Sequence, residues 1–287
     1  MSLPDFVLAG APKSGTSSLW SYVRQHPDVF MPDPKEIAFF DYKYDEGLEW
    51  YRRKFKNHTT ENAVGEATPW YMCDDRAERV PERMREVIPG AKLIFILRDP
   101  VDRARSNFQD DFRNGAGPIS FTTTVSDFIR DPTNRSHTII KCGYYYEHLR
   151  RFREYFNREQ FLILLHKEFR DDTVGTVQRV YDFLDVDPTF VPDTSNRVRV
   201  TSGFRHLDIL RAVNQVFSPL ETLTGGTPLT WLWDHVPHFR YLFRQEGGRP
   251  PSLNNEDRTY LARLYAEHNE QLSAYLDRDL SHWEGMG

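Results

Sequence analysis

The sequence predicts an α/β chain in three layers: a central, mainly parallel sheet flanked by helices on both faces. Three observations carry this. Continuous apolar runs of strand length recur at Phe6–Ala9, Ala91–Leu97 (AKLIFIL) and Phe161–Leu165 (FLILL), the pattern of strands buried on both faces. Amphipathic helical stretches alternate with these runs, which suits right-handed crossovers between parallel strands. The first run opens directly into a turn of small residues and a helix start.

In chain order, the strand from about Asp5 is followed by a loop and a helix over Ser17–Gln25, stopped at His26-Pro27-Asp28. Val29-Phe30-Met31 reads as a short strand, and Pro32 to Asp41 as a loop running into aromatics. A helix is expected over Leu48–Lys56, a strand end at Ala63–Glu66, and a surface helix over Asp74–Ile88 closed by Pro89-Gly90. After AKLIFIL, Arg98-Asp99-Pro100 places a proline at the first position of the next helix. Val125–Ile129 is a short helix, Tyr144–Phe156 and Thr173–Leu184 are amphipathic, and Asn255–Leu276 is the last helix. From about 190 to 250 the rhythm is lost; glycines, prolines and aromatics such as Trp231, Trp233 and Phe243 suggest a cover over an acceptor site or an interface. The chain of 287 residues is thus read as one domain with that irregular segment inside it.

Composition narrows the partners. A net charge of −5 gives no sign of nucleic-acid binding, so an anionic ligand must be held by local positive charge. Cys73 and Cys142 read as reduced thiols rather than as a disulfide framework. With no 18-residue apolar run and no room for a signal peptide before the first strand, a cytoplasmic protein without a membrane span is expected. The oligomeric state is not legible.

Function is most legible in G-A-P-K-S-G-T-S-S-L, Gly10–Leu19. Strand, glycine-bearing loop and helix start together build an anion cradle of backbone N–H groups and a helix dipole. The nucleotide-triphosphatase loop carries lysine directly after its second glycine; here Thr16 stands there and Lys13 lies two places before Gly15. P-K-x-G-T-[ST]-x-L resembles the 5′-phosphosulfate loop of sulfotransferases that use 3′-phosphoadenosine 5′-phosphosulfate (PAPS). The resemblance implies a P-loop-like fold, with Lys13, Ser14, Gly15, Thr16, Ser17 and Ser18 holding the cofactor's 5′ end and Lys13 stabilising the leaving phosphate.

A second segment supports the same family. Arg98 ends a buried strand, where ligands of open α/β sheets bind, and guanidinium is a natural phosphate fork. L-R-D-P-V-D-R-A-R-S resembles the sulfotransferase 3′-phosphate motif, which gives Arg98 and Ser106 to the cofactor. Arg103 and Arg105 read as structural or solvated. Pro34-Lys35-Glu36-Ile37-Ala38-Phe39-Phe40-Asp41 resembles the heparan sulfate sulfotransferases, in which a glutamate before an aromatic pair is the catalytic base. That implies Glu36 as base, with Lys35 either holding an acidic acceptor or pairing with Glu36. Ala38 stands where some members have histidine. His26, His137 and His148 are weaker candidates for the base. The loop that closes over the cofactor is matched at Thr201–Arg205, with Arg205 as a phosphate contact.

The expected reaction is sulfuryl transfer from PAPS to a hydroxyl or amine of a small-molecule or glycan acceptor, leaving PAP and needing no metal because Lys13 and Arg98 supply the charge. A carbohydrate acceptor is favoured by the Glu36 segment. A lipid or secondary-metabolite hydroxyl is the alternative that the aromatic stretch would suit. A P-loop kinase would need lysine after Gly15 and a magnesium-binding carboxylate at a strand end, where Thr16 and Arg98 stand. A non-catalytic PAP-binding scaffold would have no use for Lys13 and Glu36 together.

Overall fold

Strand β1 (Phe6–Gly10) lies at the centre of a five-stranded sheet, because its five residues are apolar or small and all are buried. In the computed structural model the described residues are 3–73, 77–114, 125, 138–195, 203–204, 244–245 and 253–286. β2 (Val29–Phe30), β3 (Ala63–Ala67), β4 (Lys92–Leu97) and β5 (Phe161–Leu165) complete the sheet in the order β2-β3-β1-β4-β5. Every pairing is parallel, with Leu8 in register with Ala67 on one side and Ile94 on the other. The α/β three-layer expectation holds. β6 (Gly203–Phe204) and β7 (Arg244–Gln245) pair antiparallel as a separate ribbon.

The strand period of two sorts the core onto two faces. Val7, Ala9, Leu93, Phe95 and Leu97 pack on one face against α3 (Val80–Val87), α6 (Tyr145–Arg153) and the long α9 (Asn255–Leu276). Phe6, Leu8, Ile94, Ile96 and Leu164 pack on the other against α1 (Thr16–Val23) and α8 (Thr173–Phe183). α4 (Pro100–Asn114), α5 (Thr138–Lys141) and α9 share a smaller third cluster around Phe108 and Tyr265. α7 (His166–Asp171) follows β5 directly, and α2 (Leu48–Arg52) packs Tyr51 beneath the loop that precedes it. With β1 flanked by β3 and β4, the loops after β1, β3, β4 and β5 all open on one edge, the ligand edge of such sheets.

Boundaries moved where local chemistry overrode the pattern. The helix expected over Leu48–Lys56 tightens into a 3₁₀ turn at Arg53–Phe55. Pro81 sits in the first turn of α3, so regular helix begins at Val80, preceded by a 3₁₀ turn at Ala77–Arg79. α9 spans the residues expected, capped by Asn254, whose side chain accepts from the Asp257 N–H at 2.7 Å. All of the helix expected at Val125–Ile129 except Val125 itself, and most of the 190–250 segment, lie outside the described residues. Among the described residues no helix is long and apolar enough to cross a membrane.

One expectation is overturned. Cys73 and Cys142, read as reduced thiols, are joined by a disulfide. The sequence hid this because 69 positions separate them, while the fold brings the turn after β3 against the turn before α6. Disulfides belong to oxidising compartments, so the cysteines no longer support the cytoplasmic expectation. Closing a loop of that length contributes about 4 kcal/mol in the chain-entropy account. Thiol titration of the denatured chain should therefore find no reactive thiol before reduction and two after it. Reduction should also lower the melting temperature by several degrees, and two titratable thiols without reductant would exclude the bridge.

Candidate active site

The loop after β1 is built for close approach. A Cβ at Gly10 would lie 2.7 Å from the Met72 side chain, so the strand end accepts only glycine. Gly15 adopts φ +99°, open to glycine and costly to other residues, and α1 starts at the next residue. Lys13 holds φ +66° without being glycine, a conformation that costs about 1–2 kcal/mol and concentrates at functional sites. Ser14 and Thr16 are buried, while Ser17 and Ser18 are half-buried at the helix start. The first N–H groups of α1 have no intrahelical partner and face the loop. Lys13 Nζ pairs with Asp110 Oδ2 of α4 at 2.6 Å.

Arg98 leaves the end of β4 toward the same loop. Its Nη1 reaches the Lys13 carbonyl at 3.5 Å, and its Nη2 lies 3.6 Å from Asp102 Oδ2. Asp99 caps α4, its Oδ1 accepting the N–H groups of Val101 and Asp102 at 2.9 and 3.0 Å. The Tyr145 hydroxyl donates to the Arg98 carbonyl at 2.8 Å, which pins the strand end from the α6 side. Positions 102, 106 and 110 of α4 share one face. Since Asp102 meets Arg98 and Asp110 meets Lys13, Ser106 between them looks onto the cradle. Arg103 is fully buried and donates to Asn107 Oδ1 and the Ile139 carbonyl, while Arg105 pairs with Asp102 at 3.0 Å. Both are structural.

The Glu36 segment closes the site from the β3 side. Lys35 Nζ donates to Ser17 Oγ at 3.1 Å and Thr16 Oγ1 at 3.4 Å, and lies 3.0 Å from Glu36 Oε1. Glu36 itself is 45% exposed, open to an acceptor. Its N–H donates to the Ala67 carbonyl at 2.9 Å. Phe39 and Phe40 anchor the segment below, Phe39 stacking on Tyr51 at 4.2 Å between centroids. Of the two sequence readings of Lys35, pairing with Glu36 is what the geometry has, and Lys35 also stands over the cradle hydroxyls.

Three residues at this edge escaped the sequence reading: Lys35 as a cradle cation, Asp110 and His166. His166 follows FLILL directly, and a Cβ on Gly15 would lie 3.3 Å from its ring. Burial, then Arg98 and Arg170, draw its imidazole down to about 4, so it faces the cradle neutral. The strand-end logic that selected Arg98 would have found it. Asp110 had no such signal, because its pairing depends on how α4 leans over the loop. Two histidines considered as bases are buried away from this edge. His26 Nε2 meets the Asp187 carbonyl at 3.1 Å. His148 meets the Lys141 carbonyl at 3.0 Å, and burial holds its ring at about 3. His137 and Arg205 lie outside the described residues.

Comparison with known proteins agrees with this fold. The family model described as "Sulfotransferase domain" matches residues 3–222. The chain is 28% identical over 291 residues to mouse bifunctional heparan sulfate N-deacetylase/N-sulfotransferase 4, covering 96% of this chain and 30% of that protein. It is 32% identical over 201 residues to mouse heparan sulfate glucosamine 3-O-sulfotransferase 6, covering 70% of this chain and 57% of that one. The chain thus spans less than two thirds of either relative. A solved sulfotransferase from Alicyclobacillus acidocaldarius superposes with a TM-score of 0.72 at 26% identity, over 99% of both chains. Mouse sulfotransferase SULT7A1 complexed with PAP superposes at 0.52 with 16% identity, over 96% of this chain and 87% of that one, a likeness of fold alone. The family model spans well over half of the sequence, and the chain belongs to the sulfotransferase-domain family.

Proposed function

We propose that this chain transfers the sulfuryl group of PAPS to a hydroxyl or amine of a carbohydrate acceptor. The observation that carries the reading is a convergence of charge. Lys13, Lys35 and Arg98 come from three separate loops to one cradle in a chain of net charge −5, with the Glu36 carboxylate 3.0 Å from one of them. The residues fit a phosphosulfate: helix-start N–H groups and hydroxyls line the loop, Gly10 leaves no room for a side chain, and Gly15 holds a φ of +99° that suits glycine.

When bound, PAPS supplies the sulfuryl group and a phosphate leaving group. Lys13 would offset the negative charge of the leaving phosphate, and Lys35 would neutralise the sulfuryl oxygens from the Thr16–Ser17 side. Arg98 and Ser106 would hold the 3′-phosphate. Glu36 would take the proton of the acceptor hydroxyl or amine, whose bond to sulfur replaces the one to the phosphate oxygen. Positioning and preorganised charge supply most of the rate in such transfers. The carbohydrate acceptor is supported by the names of the heparan sulfate relatives and by Glu36, open to solvent at the cradle.

A thermal-shift titration tests donor recognition. PAP at about a hundred times its dissociation constant should add about 2.7 kcal/mol, roughly 5 °C for a chain of this size, with ADP and ATP–Mg²⁺ giving little. Arg98→Ala should weaken PAP roughly thirtyfold, from the loss of charge-assisted hydrogen bonds. Unchanged PAP affinity in that variant would move the 3′-phosphate elsewhere, and a shift with ATP–Mg²⁺ alone would favour a kinase.

A further inference from the structure

One buried acid takes no part in the chemistry above. Glu66 lies near the end of β3, 1% exposed, in a strand whose other residues are Ala63, Val64, Gly65 and Ala67. Burying a carboxylate there is costly, and burial pushes its carboxyl up to about 7 although three hydroxyls donate to it. Tyr51 donates to Oε1 at 2.6 Å, Tyr71 to Oε1 at 3.1 Å and Thr68 to Oε2 at 2.8 Å.

Two of those hydroxyls reach onward. With its proton committed to Glu66, each turns its lone pairs outward. Thr68 Oγ1 accepts the Ala38 N–H at 3.3 Å, and the Tyr71 hydroxyl accepts the Phe40 N–H at 3.2 Å. The Glu36 N–H goes to the Ala67 carbonyl at 2.9 Å. Alternate amides of the segment, at 36, 38 and 40, are thus tied to the stretch from Glu66 to Tyr71. The segment needs such ties, because Glu36 and Ala38 hold φ of +69° and +57° without being glycine.

We propose that Glu66 is a positioning residue for the transfer reaction, fixing through the Thr68 and Tyr71 hydroxyls the backbone turn that presents Glu36 to the cradle. This rests on Glu36 acting as the base. An acid that served stability alone would need no hydroxyls bonded at both ends, whereas here two of the three hydroxyls around it end on the segment carrying Glu36.

The test removes the relays and spares the acid, since Glu66→Ala risks the fold. Thr68→Val and Tyr71→Phe keep their shapes and lose only the hydroxyl. PAP release from PAPS is measured with a heparan-type oligosaccharide as acceptor or, failing transfer to it, with water. Each variant should lose about tenfold in kcat, with the KM for PAPS and the PAP-induced thermal shift within twofold of the parent. In a Glu36→Ala background the same substitutions should cost nothing further, because the residue they position is gone. Glu66→Gln, which still accepts from the tyrosines and bonds Thr68, should keep most of the turnover. Equal losses with and without Glu36 would overturn the proposal, as would losses that follow PAP affinity, or no loss at all. Normal turnover in Glu36→Ala alone would remove the base and this role with it, and that variant identifies the failure by itself.

Discussion

Replacing Lys13 by alanine is expected to lower kcat by about 10² to 10³, the range for removing one preorganised charge from a developing oxyanion. The substitution also takes a cation from Asp110, whose carboxylate lies 2.6 Å from Lys13 Nζ. That negative charge would then face the cradle beside the incoming phosphosulfate, so Lys13→Ala should weaken donor binding as well as slow transfer. The two effects separate in the double variant. Asp110→Asn added to Lys13→Ala should restore most of the PAP-induced thermal shift while turnover stays low. Asp110→Asn alone should tighten PAP severalfold, because the anion no longer competes with a carboxylate for the lysine. If Lys13→Ala turns over within a few-fold of the parent, the leaving-group role belongs to another cation, and Lys35 over the Thr16 and Ser17 hydroxyls is the next to replace.

Most of the fold was legible because its signals are local. AKLIFIL reads as a strand buried on both faces and is the interior strand β4, whereas FLILL, read the same way, is the edge strand β5, with Phe161, Leu162 and Ile163 only half-buried. Pro100 set the start of α4. The cradle was legible for the same reason, since the backbone freedom it needs is written as Gly10 and Gly15 within one loop. What the sequence withheld depends on distance along the chain. The bond between Cys73 and Cys142 and the pairing of Lys13 with Asp110 are each made by elements far apart in order. The Glu66 relay was hidden differently. Ala63–Glu66 reads only as a strand end, and the positions of Tyr51, Thr68 and Tyr71 around Glu66 show that its carboxyl points inward.

Glu36 carries the second large effect. Glu36→Gln keeps the size of the side chain and a hydrogen bond to Lys35 but cannot take a proton. Turnover should fall by about 10² or more, the contribution of a positioned general base. Donor binding should move the other way or not at all, because the substitution removes a negative charge 3.0 Å from Lys35 Nζ, a cation at the cradle. The PAP-induced thermal shift of Glu36→Gln should therefore equal or exceed that of the parent. Lys35→Ala supplies the contrast. It removes the cradle cation and leaves the base, so it should raise the KM for PAPS more than it lowers kcat. That pair of outcomes would divide the reaction between the two neighbours in sequence, Lys35 toward the donor and Glu36 toward the acceptor. A Glu36→Gln chain that transfers at near-parental rate would end the base assignment. The exposed carboxylate would then serve only to hold Lys35 over Thr16 and Ser17, and the acceptor's proton would have to leave by another group at the cradle mouth, with Asp110 the carboxylate nearest Lys13.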